Sequence, residues 1–319
     1  MIPDLVIIEQ MERTLKETNY DLGKKYGGKV RDNYILDDKR VIVTTDRISC
    51  FDRVIGTIPF KGQVLNQLAV FWFNHTRDII LNHMLANPDP NVMVVHECKP
   101  LPVELVIRGY ITGSLWRDYA KGNRTMYGIE FKDGLKKDEK FPAPIVTPST
   151  KAEYGQHDEP TSGPEIVSKG VVSQEIYDQM EHAALRLFAY GSEHVAQNNL
   201  ILVDTKYEFG MWNGKLMLMD EIHTPDSSRF WYADTYNDLF ASGREQRMLD
   251  KEYVRQWLIG KGFMGNGKAP GLSAEVILEA AKRYLKAYEQ ITGQRFIQAA
   301  GNITDRLTAN LSKAGYLDN

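Results

Sequence analysis

Asp204, Lys206 and Glu208 stand at alternate positions within residues 202–229 (LVDTKYEFGMWNGKLMLMDEIHTPDSSR), separated by Thr205 and Tyr207. In a strand, alternate side chains share a face, so this spacing sets carboxylate, ammonium and carboxylate on one side and mostly apolar residues on the other. Two acids and a lysine make a poor core but a good lining for a site that holds a metal ion and phosphates. A solvated edge hairpin with its charges outward is the plain alternative.

Asn213-Gly214 marks a hairpin turn, and the register follows from the loop length. A two-residue loop opposes Glu208 to Met219 and sends Asp220 to the other face. A three-residue loop with a bulge at Gly214 opposes Glu208 to Leu218 and Lys206 to Asp220. The second register sorts both faces cleanly. It gathers Asp204, Lys206, Glu208 and Asp220 and leaves Tyr207, Phe209, Met217 and Met219 opposite, so it is the register expected.

Beyond the hairpin, Asp220-Glu221 and the turn Thr224-Pro225-Asp226-Ser227-Ser228-Arg229 place a carboxylate pair near an arginine. That set suits Mg²⁺ with an anionic substrate: Mg²⁺ takes one or two carboxylates and completes its octahedron with phosphate oxygens and water. Arginine grips phosphate or carboxylate through a planar fork. Upstream, Gly27-Gly28-Lys29-Val30-Arg31 reads as a glycine turn entering a strand, with Lys29 and Arg31 on one face. Glu104, Val106 and Arg108 share a face of another strand, with Leu105 and Ile107 turned to the core.

These blocks closely resemble the SAICAR synthetase family. The likeness rests on GGKVRDNY (27–34), TDRISCFD (45–52), VELVIRGYITGSLW (103–116), VDTKYEFG (203–210) and DEIHTPDSSR (220–229), in the family's order. The resemblance implies two lobes related to the ATP-grasp arrangement, with ATP between them. It also implies a ligase that joins L-aspartate to the imidazole carboxylate CAIR, giving SAICAR, ADP and phosphate. It assigns Lys29, Val30, Arg31, Glu104 and Lys151 to ATP, and Glu208 and Asp220 to Mg²⁺ beside the ATP phosphates. Arg108, Ser114, Arg229 and Arg255 go to the substrate, Lys206 to orienting the CAIR carboxylate, and Asp204 or Asp158, the latter beside His157, to the amine proton. Asp46, Arg47 and Ser49 lie in a matching block without an evident role; Asp46 and Ser49 could equally brace a turn. A kinase that stops at a phosphorylated hydroxyl, or a silent nucleotide-binding module, are the competing readings. The turn in DEIHTPDSSR is about one residue longer than in shorter members.

The elements that must position these residues read as α+β, with mixed or antiparallel sheets, flanking helices and a helical C-terminal segment. Strands are expected across 20–60 and 92–112. A helix begins near Gly62, where Val64, Leu65, Leu68, Phe71 and Trp72 recur at helical spacing. Further helices are expected near 173–197, 244–259, 273–291 and 304–314, and a partly mobile charged loop over 121–150. The expected division is a sheet lobe over 1–105, a central lobe over 106–245 and a C-terminal helical segment over 246–319. Residues 262–268 match P-loop spacing, but Ala269 and Pro270 replace the Ser/Thr and the helix that a P-loop needs.

With 39 basic and 42 acidic residues and a net charge of −3, no overall field calls for nucleic acid. Two cysteines make no disulfide framework or metal motif, and no apolar run suits a membrane span. A cytoplasmic enzyme acting on small molecules is the expectation.

Overall fold

The computed structural model describes residues 2–150, 159–249 and 252–317. In chain order the first elements are α1 (Asp4–Met11), β1 (Lys24–Gly27), β2 (Arg31–Ile35), β3 (Lys39–Thr44), β4 (Arg47–Cys50), β5 (Arg53–Thr57), α2 (Lys61–His75), β6 (Met84–Asp89) and β7 (Val92–His96). There follow β8 (Lys99–Tyr110), α3 (Gly113–Ala120), β9 (Thr125–Met126), β10 (Ile129–Glu130), β11 (Lys140–Thr150), β12 (Glu159–Pro160), α4 (Gly163–Ser168) and α5 (Gln174–Ala196). The last are β13 (Leu200–Trp212), β14 (Lys215–Met219), β15 (Ser228–Tyr232), α6 (Ala233–Ala241), α7 (Glu252–Gly260), α8 (Ala274–Thr292) and α9 (Ile303–Lys313). The fold is α+β. Helical structure begins at 252 rather than 244; the described residues before it, 244–249, are not helical.

The described residues form two compact units, one from 1–74, 83–97 and 250–319, the other from 75–82 and 98–249. The division lies after Glu97, not after 105, because β8 runs unbroken through 99–110 and a cut at 105 would halve it. The C-terminal helices do not form a separate segment; they group with the first unit.

The first unit carries an antiparallel sheet in the order β1-β2-β3-β7-β6 and the β4–β5 hairpin. One core cluster joins Tyr34, Val41, Val43, Val92 and Val94 of the sheet to Ile303, Leu307 and Leu311 of α9. Those α9 residues recur at a spacing of four, which lines them along one stripe of a helix. Arg306 fixes the same helix by donating to both oxygens of buried Asp89, at 2.9 and 3.1 Å.

In the second unit the sheet runs β12-β11-β8-β13-β14, all antiparallel. The free edge of β13 is shared: β15 pairs with residues 200–205 and β14 with 208–212. Helix α5, started by the Ser173 hydroxyl accepting from the Ile176 amide, packs on the back of this sheet. Phe188 of α5 lies 3.3 Å from where a Cβ on Gly109 of β8 would stand. Residues 121–140 carry secondary structure of their own. They form the β9–β10 hairpin around an apolar cluster of Ile111, Leu115, Tyr119, Phe131 and Phe141. Within the charge run Asp138 is buried, and Lys137 pairs with Glu245.

Candidate active site

The β13–β14 hairpin takes the two-residue loop. Glu208 opposes Met219 and Trp212 opposes Lys215, with Asn213 (φ 48°) and Gly214 (φ 73°) both left-handed. That is the turn Asn-Gly favours, because its twist matches that of paired strands. The expected three-residue register is therefore wrong, and so is the expected sorting of faces. Met217 and Met219 share the face of Glu208, while Leu216 and Leu218 stand with Tyr207 and Phe209. Room for Met219 comes from Gly210, where a Cβ would collide with the Met219 sulfur.

Asp220 still reaches the predicted face, by another route. Its backbone is left-handed (φ 66°) immediately after β14 ends, so the chain leaves the ladder and the carboxylate swings forward. Its Oδ2 lies 3.7 Å from the Lys206 Nζ. A strained φ at one residue achieves what the register alone would not.

The front face assembles from five segments. Pairing sets Asp204 opposite Arg108, Lys206 opposite Val106 and Glu208 opposite Glu104. Across β8, Thr147 opposes Val106 and Ser149 opposes Glu104. Across the other edge of β13, Arg229 opposes Asp204. Lys206 Nζ bonds Glu208 directly and lies 3.5 Å from Glu104. Burial on its own would lower the Lys206 pKa, but Glu208, Asp220 and Glu104 outweigh it and hold the ammonium above the ordinary lysine range. Three carboxylates around one ammonium leave an excess of negative charge.

At the other end of the face, Oδ2 of Asp204 accepts from Arg229 Nη1 at 2.8 Å and from Arg108 Nη1 at 3.4 Å. Arg108 Nε also donates to the Thr147 hydroxyl at 2.9 Å, and Ser149 donates to Glu104 at 2.8 Å. The Arg229 guanidinium lies against Gly113, where any Cβ would overlap it. That contact brings the start of α3, where half-buried Ser114 follows Gly113, against Arg229. Thr147, Ser149 and Gly113 had no role in the sequence reading. The two hydroxyls are visible only once β11 is paired with β8, and Gly113 only once Arg229 is placed.

The remaining predicted residues lie on the first unit or outside the described residues. Lys29 Nζ bonds Asp52 at 2.5 Å with both side chains exposed. The Val30 carbonyl accepts from the Thr45 amide and hydroxyl at 3.0 and 2.8 Å, Arg31 opens β2, and Arg255 of α7 packs 5.0 Å from the centre of the Phe51 ring. Lys151, His157 and Asp158 fall outside the described residues.

Arg47 has a clear task. Its guanidinium donates to the carbonyls of Lys16, Gly28 and Lys29 and to Asp32, at 2.6, 2.9, 3.0 and 2.9 Å, and so holds the glycine turn from behind. Asp46 is a core residue: fully buried, it accepts the Leu15 and Gly62 amides, and burial pushes its carboxyl up to about 6. Ser49 lies half-buried in β4. The P-loop look-alike presents carbonyls, not amides. Gly265 and Gly267 accept from Arg53 at 3.4 and 2.5 Å, which is the wrong polarity for phosphate.

An α+β fold with a lysine set among carboxylates, beside two arginines on a shared acid, defines an enzyme that handles anionic substrates. A model of the family described as SAICAR synthetase matches residues 24–270. The phosphoribosylaminoimidazole-succinocarboxamide synthase of Legionella pneumophila (strain Lens) is 47% identical over 305 residues, covering 93% of this chain and 97% of its own. The solved SAICAR synthase of Saccharomyces cerevisiae, complexed with SAICAR, is similar at TM-score 0.78 and 30% identity, over 89% of this chain and 100% of its own. A SAICAR synthetase solved with ADP is similar at TM-score 0.66 and 26% identity, over 86% and 100%. The chain belongs to the SAICAR synthetase family, the ATP-dependent carboxylate–amine ligases of purine biosynthesis.

Proposed function

We propose that the front face of the β8–β13 sheet carries the family's reaction in this chain, joining L-aspartate to CAIR at the expense of ATP. The observation that supports it is the Lys206 ammonium held among Glu104, Glu208 and Asp220, on the same face as the arginines bound to Asp204. A carboxylate is a poor acyl donor, so the γ-phosphoryl first moves to the CAIR carboxylate with release of ADP. The aspartate amine then attacks the acyl phosphate, the new C–N bond forms, and phosphate leaves with the C–O bond pair. Phosphoryl transfer depends chiefly on positioning and charge stabilisation.

Lys206 orients the carboxylate that is phosphorylated and offsets charge as it develops. Arg108, Arg229 and Ser114 bind the anionic substrate, and the family resemblance assigns Arg255 to it as well. Glu104 is assigned to the nucleotide, where the Ser149 hydroxyl keeps its carboxylate in place. Lys29, Val30 and Arg31, shaped by Arg47, are assigned to the phosphates, as is Lys151. Of the two acids proposed for the amine proton, Asp204 already accepts two guanidiniums on one oxygen, so we assign the proton to Asp158 and the bracing of the arginines to Asp204.

The charge excess around Lys206 fits a divalent cation. Among the described residues no trio of acid, histidine or cysteine side chains forms a closed metal cage. That suits Mg²⁺, which needs one or two carboxylates and takes the rest of its shell from phosphate and water. Glu208 and Asp220 are the residues that would hold it, and when bound it would neutralise phosphate charge.

Among the described residues no helix is long and apolar enough to cross a membrane. Cys50 and Cys98 are buried free thiols, which is compatible with a reducing cytoplasm as the site of action.

ADP release by the purified protein with Mg-ATP and CAIR, with and without L-aspartate, tests the proposal. Aspartate-dependent release matched by SAICAR absorbance is the expected result. ADP release that needs no amine and leaves a stable phosphorylated product would replace the ligase with a kinase.

A further inference from the structure

The turn between β14 and β15 crosses the gap that those two strands leave on the edge of β13, and it is gripped from both sides. On the front, Asp220 meets Lys206. In the plane of the sheet, the Lys206 amide donates to the Ser227 carbonyl at 3.2 Å. On the back, His223 Nε2 and the Tyr207 hydroxyl are 2.6 Å apart, and neither side chain is exposed. Two consecutive residues of one strand thus hold the same turn from opposite faces of the sheet.

The back-side grip is tightly built. The His223 ring occupies space that a side chain at Gly191 of α5 would fill, and its backbone is left-handed (φ 52°), as is that of Asp220. Burial lowers the imidazole pKa to about 3 and raises that of the Tyr207 phenol, so both groups stay neutral at working pH. Phenol and Nε2 then share one hydrogen bond, whose donor is set by the imidazole tautomer. Ile222 and Thr224, on either side of His223, are also fully buried. The turn therefore cannot slide along β13 without breaking a buried hydrogen bond.

We propose that His223, held by Tyr207, is a positioning residue that keeps the Asp220 carboxylate on the front face for the divalent cation. The inference rests on the metal assignment proposed above. The back of the sheet supplies a directional anchor for a residue whose own backbone is left-handed. Groups that hydrogen-bond a metal ligand directly are worth about 10–100-fold in affinity, and an anchor that acts through the turn is expected at the low end of that range.

The test is calorimetric titration of the full chain with ADP, with and without Mg²⁺, alongside thermal unfolding. Tyr207→Phe and His223→Leu should each weaken the Mg²⁺-dependent part of ADP binding about tenfold and leave Mg²⁺-free ADP binding unchanged. His223→Gln, whose side-chain amide can accept from or donate to the phenol in place of Nε2, should restore most of the loss. A fall in melting temperature with Mg²⁺-dependent binding intact would overturn the proposal and make the pair simple core packing. Failure of Gln to rescue would also overturn it. Asp220→Asn separates the two levels. If that variant keeps full Mg²⁺ dependence, the metal assignment itself fails; if it loses it while Tyr207→Phe does not, only the positioning role fails.

Discussion

Arg229 of β15 donates to Asp204 of β13 at 2.8 Å across a ladder that sets the two residues directly opposite each other. The same Asp204 oxygen takes Arg108 from the strand on the other side. One carboxylate therefore fixes the spacing of two guanidiniums drawn from the strands on either side of it. The arginines, so held, present their remaining donors to an anion without first having to be ordered.

Asp204→Ala should accordingly damage both fold and binding. It leaves two guanidiniums facing each other without a counter-ion, and removing one partner of a buried pair costs about 3–5 kcal/mol. Urea unfolding should register that loss. Asp204→Asn, which keeps the shape, should raise the KM for CAIR by about tenfold, the effect of roughly 1.4 kcal/mol, with a smaller change in kcat. A large fall in kcat with KM unchanged would return Asp204 to the role of proton acceptor.

Lys206 is held in its charged form by Glu208, Asp220 and Glu104 against the cost of burial. Because the folded pKa lies above the unfolded one, this stabilisation is fully present below about pH 10.4, the ordinary lysine value, and is lost only as pH rises through the folded value. The alkaline limb of the rate profile below pH 10 should therefore be unchanged in Lys206→Arg. Lys206→Met leaves three carboxylates without their cation. It should lower aspartate-dependent ADP release by about 100-fold or more, as loss of a charge-stabilising donor does.

Asp46 gives a pH signature of the same sign in the acid range. Burial raises its folded carboxyl to about 6 from 3.8, although the Leu15 and Gly62 amides bond it. Between those two values the folded state binds more protons than the unfolded one, so this group makes stability fall as pH rises from about 4 to about 6. Urea midpoints measured from pH 4 to 7 should show that slope, and Asp46→Asn should remove it. An unchanged slope in the variant would assign it to other groups.

Arg47 supports the glycine turn through the carbonyls of Gly28 and Lys29. Arg47→Met should free that turn and strand the Asp32 carboxylate, which is buried and otherwise bonded by the Thr18 amide and hydroxyl. The KM for ATP should rise about tenfold, since immobilising a loop before binding is worth on the order of 1 kcal/mol per ordered group. Lys29→Met should raise the same KM without changing thermal stability, because the Lys29–Asp52 pair is exposed. A normal KM for ATP in both variants would remove the loop from the nucleotide site.

The chemistry of this chain was legible where it depends on strand parity. Asp204, Lys206 and Glu208 share a face because a pleated strand has a period of two, and the same rule places Glu104 beside Arg108. Local sequence also marked the core face of α2, and the blocks in their order marked the family. The hairpin register was open to the same local reasoning, since Asn-Gly is the strongest two-residue turn signal. Face-sorting misled because it assumed that Asp220 remains in the ladder. The backbone of Asp220 is instead decided by a turn whose anchors, Tyr207 and Gly191, lie on β13 and α5. Likewise the roles of Asp46 as a core acceptor, Arg47 as a clamp and Gly113 as the seat of Arg229 depend on partners distant in sequence, which only tertiary packing brings within bonding distance. Strand period is a property of neighbouring residues and is written along the chain; burial and long-range hydrogen bonding are properties of the fold, and they decided which of these charged residues gather on the front face and which brace the core.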